Sequence, residues 1–351
     1  MGQFSDYFCV QPFNYMEMYG CGTALCCPAW LTHDIGGEWE SPIELFNSDA
    51  AQEVRESMHD GSFRYCTDCP YILGDEVAPG NGTLMRRDEV HQPWLKKIMK
   101  KGLTYIDPYS VPVRGLAGYD RTCNLRCPSC RTERINIIKD PPRFKQVMDY
   151  QDMLLRDTYP VLKKLRIAGD GDSFASPVYM DLLRRLTRED YPDLTIDINT
   201  NGLLFNRKNW AQIGMRDSLG DAIVSVDAAT QETYEKIRGG NWNVLVRNLE
   251  FMAELKQNGS LGGLWLNFVV QKSNWREMKK FVKMATRLKA SGISFIGIRH
   301  WNFMSQEYYD ENAVWRPEHP EYAEFSASLY DPIFSRKKEP WVSMGTDVWK
   351  A

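Results

Sequence analysis

From Val113 onward, short apolar runs alternate with stretches of helical spacing, and this alternation constrains the fold more than any other feature. The runs Arg114 to Tyr119, Leu165 to Ala168, Leu194 to Asn199, Ala222 to Val226, Trp265 to Val270 and Phe295 to Ile298 each predict a strand. Met278, Phe281, Val282, Ala285 and Leu288 recur at helical spacing, and Asn274 with Glu277 three residues on predicts a capping-box-like helix start. Six β-then-α units in a row imply a parallel sheet. Right-handed crossovers curl such a series into a barrel or a doubly wound sheet, and in both the chemistry belongs at the C-terminal ends of the strands. With 351 residues, 43% of them hydrophobic, the chain can bury one large core, or a barrel with a smaller appendage.

The net charge of -3 carries no basic excess that would ask for nucleic acid or an anionic membrane. No stretch of about 18 apolar residues occurs, and Met1 to Cys9 lacks a basic region followed by an apolar one, so the expectation is a soluble, cytoplasmic protein. Nine cysteines in that compartment point to metal or redox chemistry instead of disulfides. Their positions sharpen the point: Cys9, Cys21, Cys26, Cys27, Cys66 and Cys69 precede residue 70, Cys123, Cys127 and Cys130 stand together, and none follows. Core cysteines would spread along the chain, so two clusters of thiol ligands account better for this distribution.

The run Glu-Val-Ala-Pro-Gly-Asn-Gly from Glu76 to Gly82 is rich in turn formers and suits a linker. The expected organisation is a cysteine-bearing unit over 1–75, a linker over 76–112, the repeated β/α core over 113–305 and a C-terminal lid or tail over 306–351.

Directly after the first predicted strand stands Cys123-Asn-Leu-Arg-Cys127-Pro-Ser-Cys130-Arg131. Three thiolates in one short loop can hold three irons of a cubane cluster and leave the fourth iron open for substrate chemistry. The alternative is structural zinc, but zinc knuckles usually offer four ligands, and no nearby histidine or cysteine completes this set.

This spacing, at this place after the first strand, resembles the signature of the radical S-adenosylmethionine superfamily, over roughly residues 113 to 305. The resemblance implies an α/β fold, a partial (β/α)6 TIM-like barrel of the radical SAM type with a small N-terminal cysteine-rich auxiliary-cluster domain. It also implies a 4Fe-4S cluster on Cys123, Cys127 and Cys130, with S-adenosylmethionine as its partner. Asp170-Gly171-Asp172 is similar to the superfamily's Gly-Gly-Glu segment, which accepts hydrogen bonds from the methionyl amine. Asn199-Thr200-Asn201-Gly202 follows the third strand, where such enzymes place ribose contacts. Ser225 and Asp227 end the fourth strand and Arg238 comes one helix later; by resemblance Ser225 and Arg238 bind the methionyl part, an Arg being suited to a carboxylate through its planar fork. The residue before the last cluster cysteine is often aromatic in the superfamily and here is Ser129, which leaves the adenine contact unassigned. The implied mechanism is reductive cleavage of the sulfonium to methionine and a 5'-deoxyadenosyl radical that takes a hydrogen atom from an unactivated carbon. An electron donor such as flavodoxin or ferredoxin follows from it. The cofactor carries that chemistry, and the protein fixes geometry and excludes water.

Toward the N-terminus, Cys9, the run Gly22-Thr-Ala-Leu-Cys26-Cys27-Pro-Ala-Trp30 and Cys66-Thr-Asp-Cys69-Pro70 supply thiols for one further four-ligand site. With Leu45 to Arg55 and Asp60 to Tyr65, they resemble the SPASM or shorter twitch extension, which carries an auxiliary 4Fe-4S cluster and in most relatives follows the barrel; here the order is permuted. The expected ligands are Cys9, Cys66, Cys69 and one of Cys26 and Cys27, with Cys27 preferred for its spacing from Gly22. A zinc ribbon suits the same cysteines. A leftover Cys21 facing a substrate radical would return a hydrogen atom and make an epimerase; its bland reading is a small buried side chain.

Arg299, His300 and Trp301 end the sixth strand, where they would meet a hydroxylated or anionic small-molecule substrate, or else simply pack in the core. Three functions stay open: oxidation, dehydration or epimerisation of a sugar or aminocyclitol; modification of a ribosomal peptide; and a non-catalytic metal-binding module.

Overall fold

The computed structural model describes residues 2–19, 22–73, 76–77, 82–301, 303–336 and 338–345, and Cys21, with the hydrogen-donor expectation attached to it, lies outside them. The chain divides into two compact units, Met1–Asp120 with Asp140–Gly169 and Thr187–Thr195, and Arg121–Lys139 with Asp170–Leu186 and Ile196–Ala351.

In the first unit, strands Arg114–Gly118 and Lys164–Ile167 run parallel and are joined in sequence through helix Pro141–Met153. Asp140 starts that helix by accepting the Arg143 N–H at 3.1 Å, and proline in its first turn gives up a donor that would be orphaned anyway. Strand Tyr15–Tyr19 lies parallel to Arg114–Gly118, and Gly22–Ala24 pairs antiparallel to it. Met16 and Met18 alternate inward and are wholly buried, the period-two pattern of a strand, but over too few residues to stand out in the sequence.

Helix Asp49–His59 of this unit is capped by Ser48, whose Oγ accepts from Ala51 N at 3.2 Å. It carries Arg55, which is completely buried. The guanidinium donates to the carbonyls of Pro12 (2.8 Å), Phe46 (2.6 Å) and Thr104 (2.8 Å) and to Asn47 Oδ1 (3.0 Å). Its Cζ lies 4.4 Å from the Phe46 ring centroid. Every acceptor here is neutral, and burial lowers the Arg55 pKa to about 9.

In the second unit, Thr195–Thr200, Leu219–Ser225, Leu261–Val270, Gly292–Gly297 and Trp341–Met344 lie side by side in parallel. All six strands expected from the alternation form across the two units, with ends within four residues of those predicted. The largest difference is at Leu261–Val270, which begins four residues before the predicted start at Trp265, with Leu261 opposite Leu219 and Gly263 opposite Asp221. The last strand, Trp341–Met344, falls in the segment expected as a lid or tail and had no signal of its own. This α/β architecture of parallel strands is the class the sequence implied.

Leu264, Leu266, Phe268 and Val270 are fully buried at alternate positions, and helix Met278–Arg287 buries Met278, Phe281, Val282 and Ala285 along the predicted stripe. Phe268 meets Phe281 and Phe295 with ring centroids 4.8 and 5.3 Å apart. Each such ring contributes about 1.5–3 kcal/mol by burial. The capping box does not form: helix Met278–Arg287 has no side-chain cap, and Asn274 and Glu277 turn to other partners. Among the described residues no helix is long and apolar enough to cross a membrane.

Because Arg55 satisfies three buried carbonyls at once, replacing it by Met is expected to destabilise the protein by at least about 3 kcal/mol. Lys is expected to restore little, since one ammonium cannot reproduce the planar fork. Urea unfolding of both variants measures the effect; a Met variant within about 1 kcal/mol of the parent would refute it.

Candidate functional site

The three-cysteine loop belongs to the second unit, as do all the residues that the signature resemblance singled out. Cys130 N and Arg131 N donate to Cys127 O at 2.9 and 3.1 Å, and Cys123 N donates to Ile135 O at 3.0 Å, so the loop is folded back on itself. Thr122 fastens it further, its Oγ1 accepting from Ile137 N at 3.0 Å and its carbonyl from Asp172 N at 2.9 Å. The Cys123 sulfur accepts from Leu125 N at 3.5 Å and from Asn201 Nδ2 at 3.7 Å. Burial raises the Cys123 pKa against the pull of the Leu125 N–H, Arg131 and Arg238. Burial likewise raises Cys127, with Arg238 opposing.

Asp172 is buried and accepts four hydrogen bonds. Its Oδ1 takes Phe174 N and Ala175 N, both at 3.0 Å, and its Oδ2 takes Thr200 Oγ1 at 2.9 Å and Asn201 N at 2.7 Å. Burial raises its pKa and these bonds hold it down. One carboxylate thus ties the segment after the second predicted strand to the end of the third. Asp170, two residues earlier and beyond Gly171, is exposed and pairs with Arg121 at 3.6 Å, a surface contact worth about 0–1 kcal/mol. Asn201 Nδ2 also donates to Asn124 Oδ1 at 2.8 Å, so it sits on the cysteine loop. Asn199 accepts the Ser173 hydroxyl on its carbonyl at 2.7 Å, while its buried Oδ1 has no hydrogen-bond partner among the described residues.

Ser225 ends its strand half-buried, in register with Asn267. Asp227 follows at φ 63°, a left-handed conformation that costs a non-glycine residue about 1–2 kcal/mol. Its Oδ2 pairs with Arg238 Nη1 at 3.0 Å and its Oδ1 accepts Val269 N at 2.7 Å. Burial raises the Asp227 pKa despite that guanidinium. For Arg238, burial works against the charge, but Cys127, Asp227 and Tyr234 outweigh it and push the pKa up. Arg238 Nε and the Tyr234 hydroxyl are buried without a hydrogen-bond partner among the described residues.

Sequence reasoning missed what holds this arrangement. Asn274 Nδ2 donates to the carbonyls of Asp227 (2.9 Å) and Val269 (2.8 Å). Glu277 accepts from Ala229 N (2.6 Å), Thr230 Oγ1 (2.5 Å) and Thr233 Oγ1 (2.7 Å), and so fastens the start of helix Gln231–Arg238. The spacing of Asn274 and Glu277 was visible, but it serves the helix that carries Arg238 instead of their own.

A cavity of about 570 Å³ opens beside Pro128 and Ser129, lined also by Ile237, Gln271, Lys272 and Tyr308. Arg299, His300 and Trp301 are not among its lining residues. Arg299 is half-buried, His300 is exposed with its ring 5.2 Å from that of Tyr309, and Trp301 is 45% exposed.

In the first unit, Cys9, Cys26, Cys66 and Cys69 are electrostatic neighbours. Burial pushes Cys9 up to about 12, and Cys66 and Cys69 add to the rise. Burial also pushes Cys66 up to about 12, aided by Cys69 and Cys26. Cys26 is raised by burial and then by Cys9, Cys69 and Cys27. Cys26 thus lies within electrostatic reach of Cys9, Cys66 and Cys69, and Cys27, which the spacing from Gly22 favours, adjoins it half-buried. Among the described residues no three His, Cys, Asp or Glu side chains stand at the separations of a closed metal site. Both thiol sets nonetheless match the soft-donor chemistry of iron-sulfur clusters or zinc, and two guanidiniums lower the cost of thiolate charge at the Cys123–Cys130 loop.

No protein-family profile matches the chain. A curated relative named "Probable GTP 3',8-cyclase" from Methanococcus aeolicus is 28% identical over 150 residues, 42% of this chain and 47% of that protein. The "FeMo cofactor biosynthesis protein NifB" of Chlorobaculum tepidum is 32% identical over 88 residues, 23% of this chain and 20% of that protein. The chain thus spans less than half the length of either curated relative. Among solved structures, Streptococcus suis SuiB aligns with a TM-score of 0.45 at 14% identity, covering 72% of this chain and 52% of SuiB. Native anSMEcpe with bound AdoMet aligns with a TM-score of 0.44 at 18% identity, covering 66% and 63%. The Cys123–Cys127–Cys130 loop, the ordered segments at the strand ends and these partial matches to curated relatives together resemble the radical S-adenosylmethionine superfamily.

Proposed function

We propose that the chain is an enzyme that cleaves S-adenosylmethionine, with Cys123, Cys127 and Cys130 as thiolate ligands to three irons of a 4Fe-4S cluster. The observation that carries this reading is the convergence, in one unit, of three thiols, two guanidiniums and buried polar atoms still lacking a partner. Bound there, cluster and sulfonium would supply radical chemistry at an unactivated substrate carbon.

The chain's own groups supply orientation. Asp227 occupies one arm of the Arg238 guanidinium, and the unpartnered Nε is left to donate to the methionyl carboxylate. Asn199 Oδ1 is an open acceptor for the methionyl amine or a ribose hydroxyl. Asp172 and Asn201 serve by holding the strand ends and the cysteine loop in register. The cavity beside Ser129, with Ile237 and Tyr308 on its wall, is the proposed seat of the adenosyl group in place of the aromatic residue that the superfamily often carries. In the first unit, Cys9, Cys26, Cys66 and Cys69 are the proposed ligands of a second, auxiliary 4Fe-4S cluster of the SPASM or twitch kind.

The proposed substrate is a small polyhydroxylated compound, met by Arg299, His300 and Trp301 beyond strand Gly292–Gly297 and undergoing oxidation, dehydration or epimerisation. A cytoplasmic flavodoxin or ferredoxin is the proposed electron donor.

Anaerobic reconstitution with iron and sulfide, then dithionite and S-adenosylmethionine, is expected to yield 5'-deoxyadenosine. The triple variant Cys123→Ala, Cys127→Ala, Cys130→Ala is expected to yield none while still binding iron at the N-terminal thiols. Failure of the parent protein to form 5'-deoxyadenosine refutes the proposal.

Glu277→Ala is expected to weaken S-adenosylmethionine binding at least tenfold with iron content unchanged, by equilibrium dialysis. This follows because it frees the start of the helix bearing Arg238. Unchanged affinity would show that the Glu277 contacts have no bearing on the ligand. Cys26→Ala is expected to lose the N-terminal iron and Cys27→Ala to keep it; the reverse result in iron counting would restore the spacing argument.

A further inference from the structure

The third cysteine of the loop has a donor set unlike the other two. Arg131 follows it directly and is only 7% exposed. Its Nε lies 3.4 Å and its Nη2 3.5 Å from Cys130 Sγ. The guanidinium is anchored as well: Nη1 donates to the Arg121 carbonyl at 2.8 Å and Nη2 to the Asp170 carbonyl. Backbone carbonyls at both flanks therefore set the plane of the fork, and the edge carrying Nε and Nη2 faces sulfur. By contrast, the donors on Cys123 are neutral, a backbone N–H and the Asn201 amide. Cys127 instead turns its own thiol toward the Arg238 carbonyl at 3.7 Å.

We infer that Arg131 tunes the cluster electronically, as the charged hydrogen-bond donor to the Cys130 thiolate that makes the reduced state easier to reach. The inference rests on the reading of Cys130 as an iron ligand. Reduction adds negative charge to the cluster and its sulfurs, and a fixed cation donating N–H···S bonds stabilises that added charge more than the oxidised state. Hydrogen bonds to ligand sulfurs and net charge are among the levers that set iron-sulfur potentials, and such outer partners act through the ligand. A purely structural Arg131 would bridge the Arg121 and Asp170 carbonyls and leave the potential alone.

The experiment is a redox titration of the reconstituted protein, followed by the spin signal of the reduced cluster, for the parent, Arg131→Met and Arg131→Lys. With iron and sulfide per chain unchanged, the Met variant is expected to show a more negative midpoint potential. The Lys variant, which keeps the charge but loses the fork, is expected to fall between. An identical potential in a fully loaded Met variant overturns the inference. Should the Met variant fail to hold iron, the parent protein labelled with ¹⁵N-arginine answers the same question. A nitrogen hyperfine coupling to the reduced cluster that vanishes in Arg131→Lys supports the contact, and no coupling in the parent overturns it. A parent protein that forms the cluster and cleaves S-adenosylmethionine, but shows no shift in the Met variant, defeats this inference alone. A parent with no cubane signal defeats the proposed function first.

Discussion

The second unit depends most on the buried pair of Asp227 and Arg238. Two charges are taken out of water there, a cost that their mutual attraction offsets only when the geometry is good and the remaining donors and acceptors are satisfied. The Asp227 carboxylate meets that condition, with one oxygen on Arg238 and the other on the Val269 N–H. Its backbone is also left-handed, a state that persists only where the surroundings over-determine it. Asn274 and Glu277 provide that constraint, gripping the chain at Asp227, Ala229, Thr230 and Thr233. The guanidinium that acts on Cys127 is consequently delivered by a helix whose start is held firmly in place.

A second consequence concerns which atoms are left for a ligand. The buried carboxylates of Asp172 and Asp227 are committed to the protein itself, by four hydrogen bonds in the first case and by an ion pair with a backbone N–H in the second. Among the described residues, Arg238 Nε, Asn199 Oδ1 and the Tyr234 hydroxyl are buried polar atoms left without a hydrogen-bond partner. Unsatisfied buried polar atoms cost about 1–3 kcal/mol each, and Arg238 and Tyr234 both lie close enough to Cys127 to act on its charge.

The first unit solves a different electrostatic problem. Arg55 carries a cation into its interior with neutral carbonyl and amide oxygens alone, and aromatic faces complete the shell. The same unit gathers Cys9, Cys26, Cys66 and Cys69, whose pKa values are all raised by burial and, for the first three, by neighbouring thiols as well. Such a set is stable as thiols and becomes a strong ligand set once a metal displaces the protons.

Much of this was legible in the sequence, for a physical reason. Strand alternation and helical spacing are local, so the six core strands and the Met278–Arg287 stripe could be read directly, as could the cysteine loop, whose chemistry resides in nearest neighbours. Glycines blurred the start of Leu261–Val270, and the short strands Tyr15–Tyr19 and Trp341–Met344 carried too little pattern to notice. What the tertiary structure alone decided were pairings between distant residues. Glu277 serves a helix that begins more than 40 positions earlier, Asn201 reaches Asn124 on the cysteine loop, and the Arg131 fork that faces Cys130 is anchored on the Asp170 carbonyl. Local spacing names the groups that carry chemistry; which of them meet is set by the packing of segments far apart along the chain, and no periodicity encodes it.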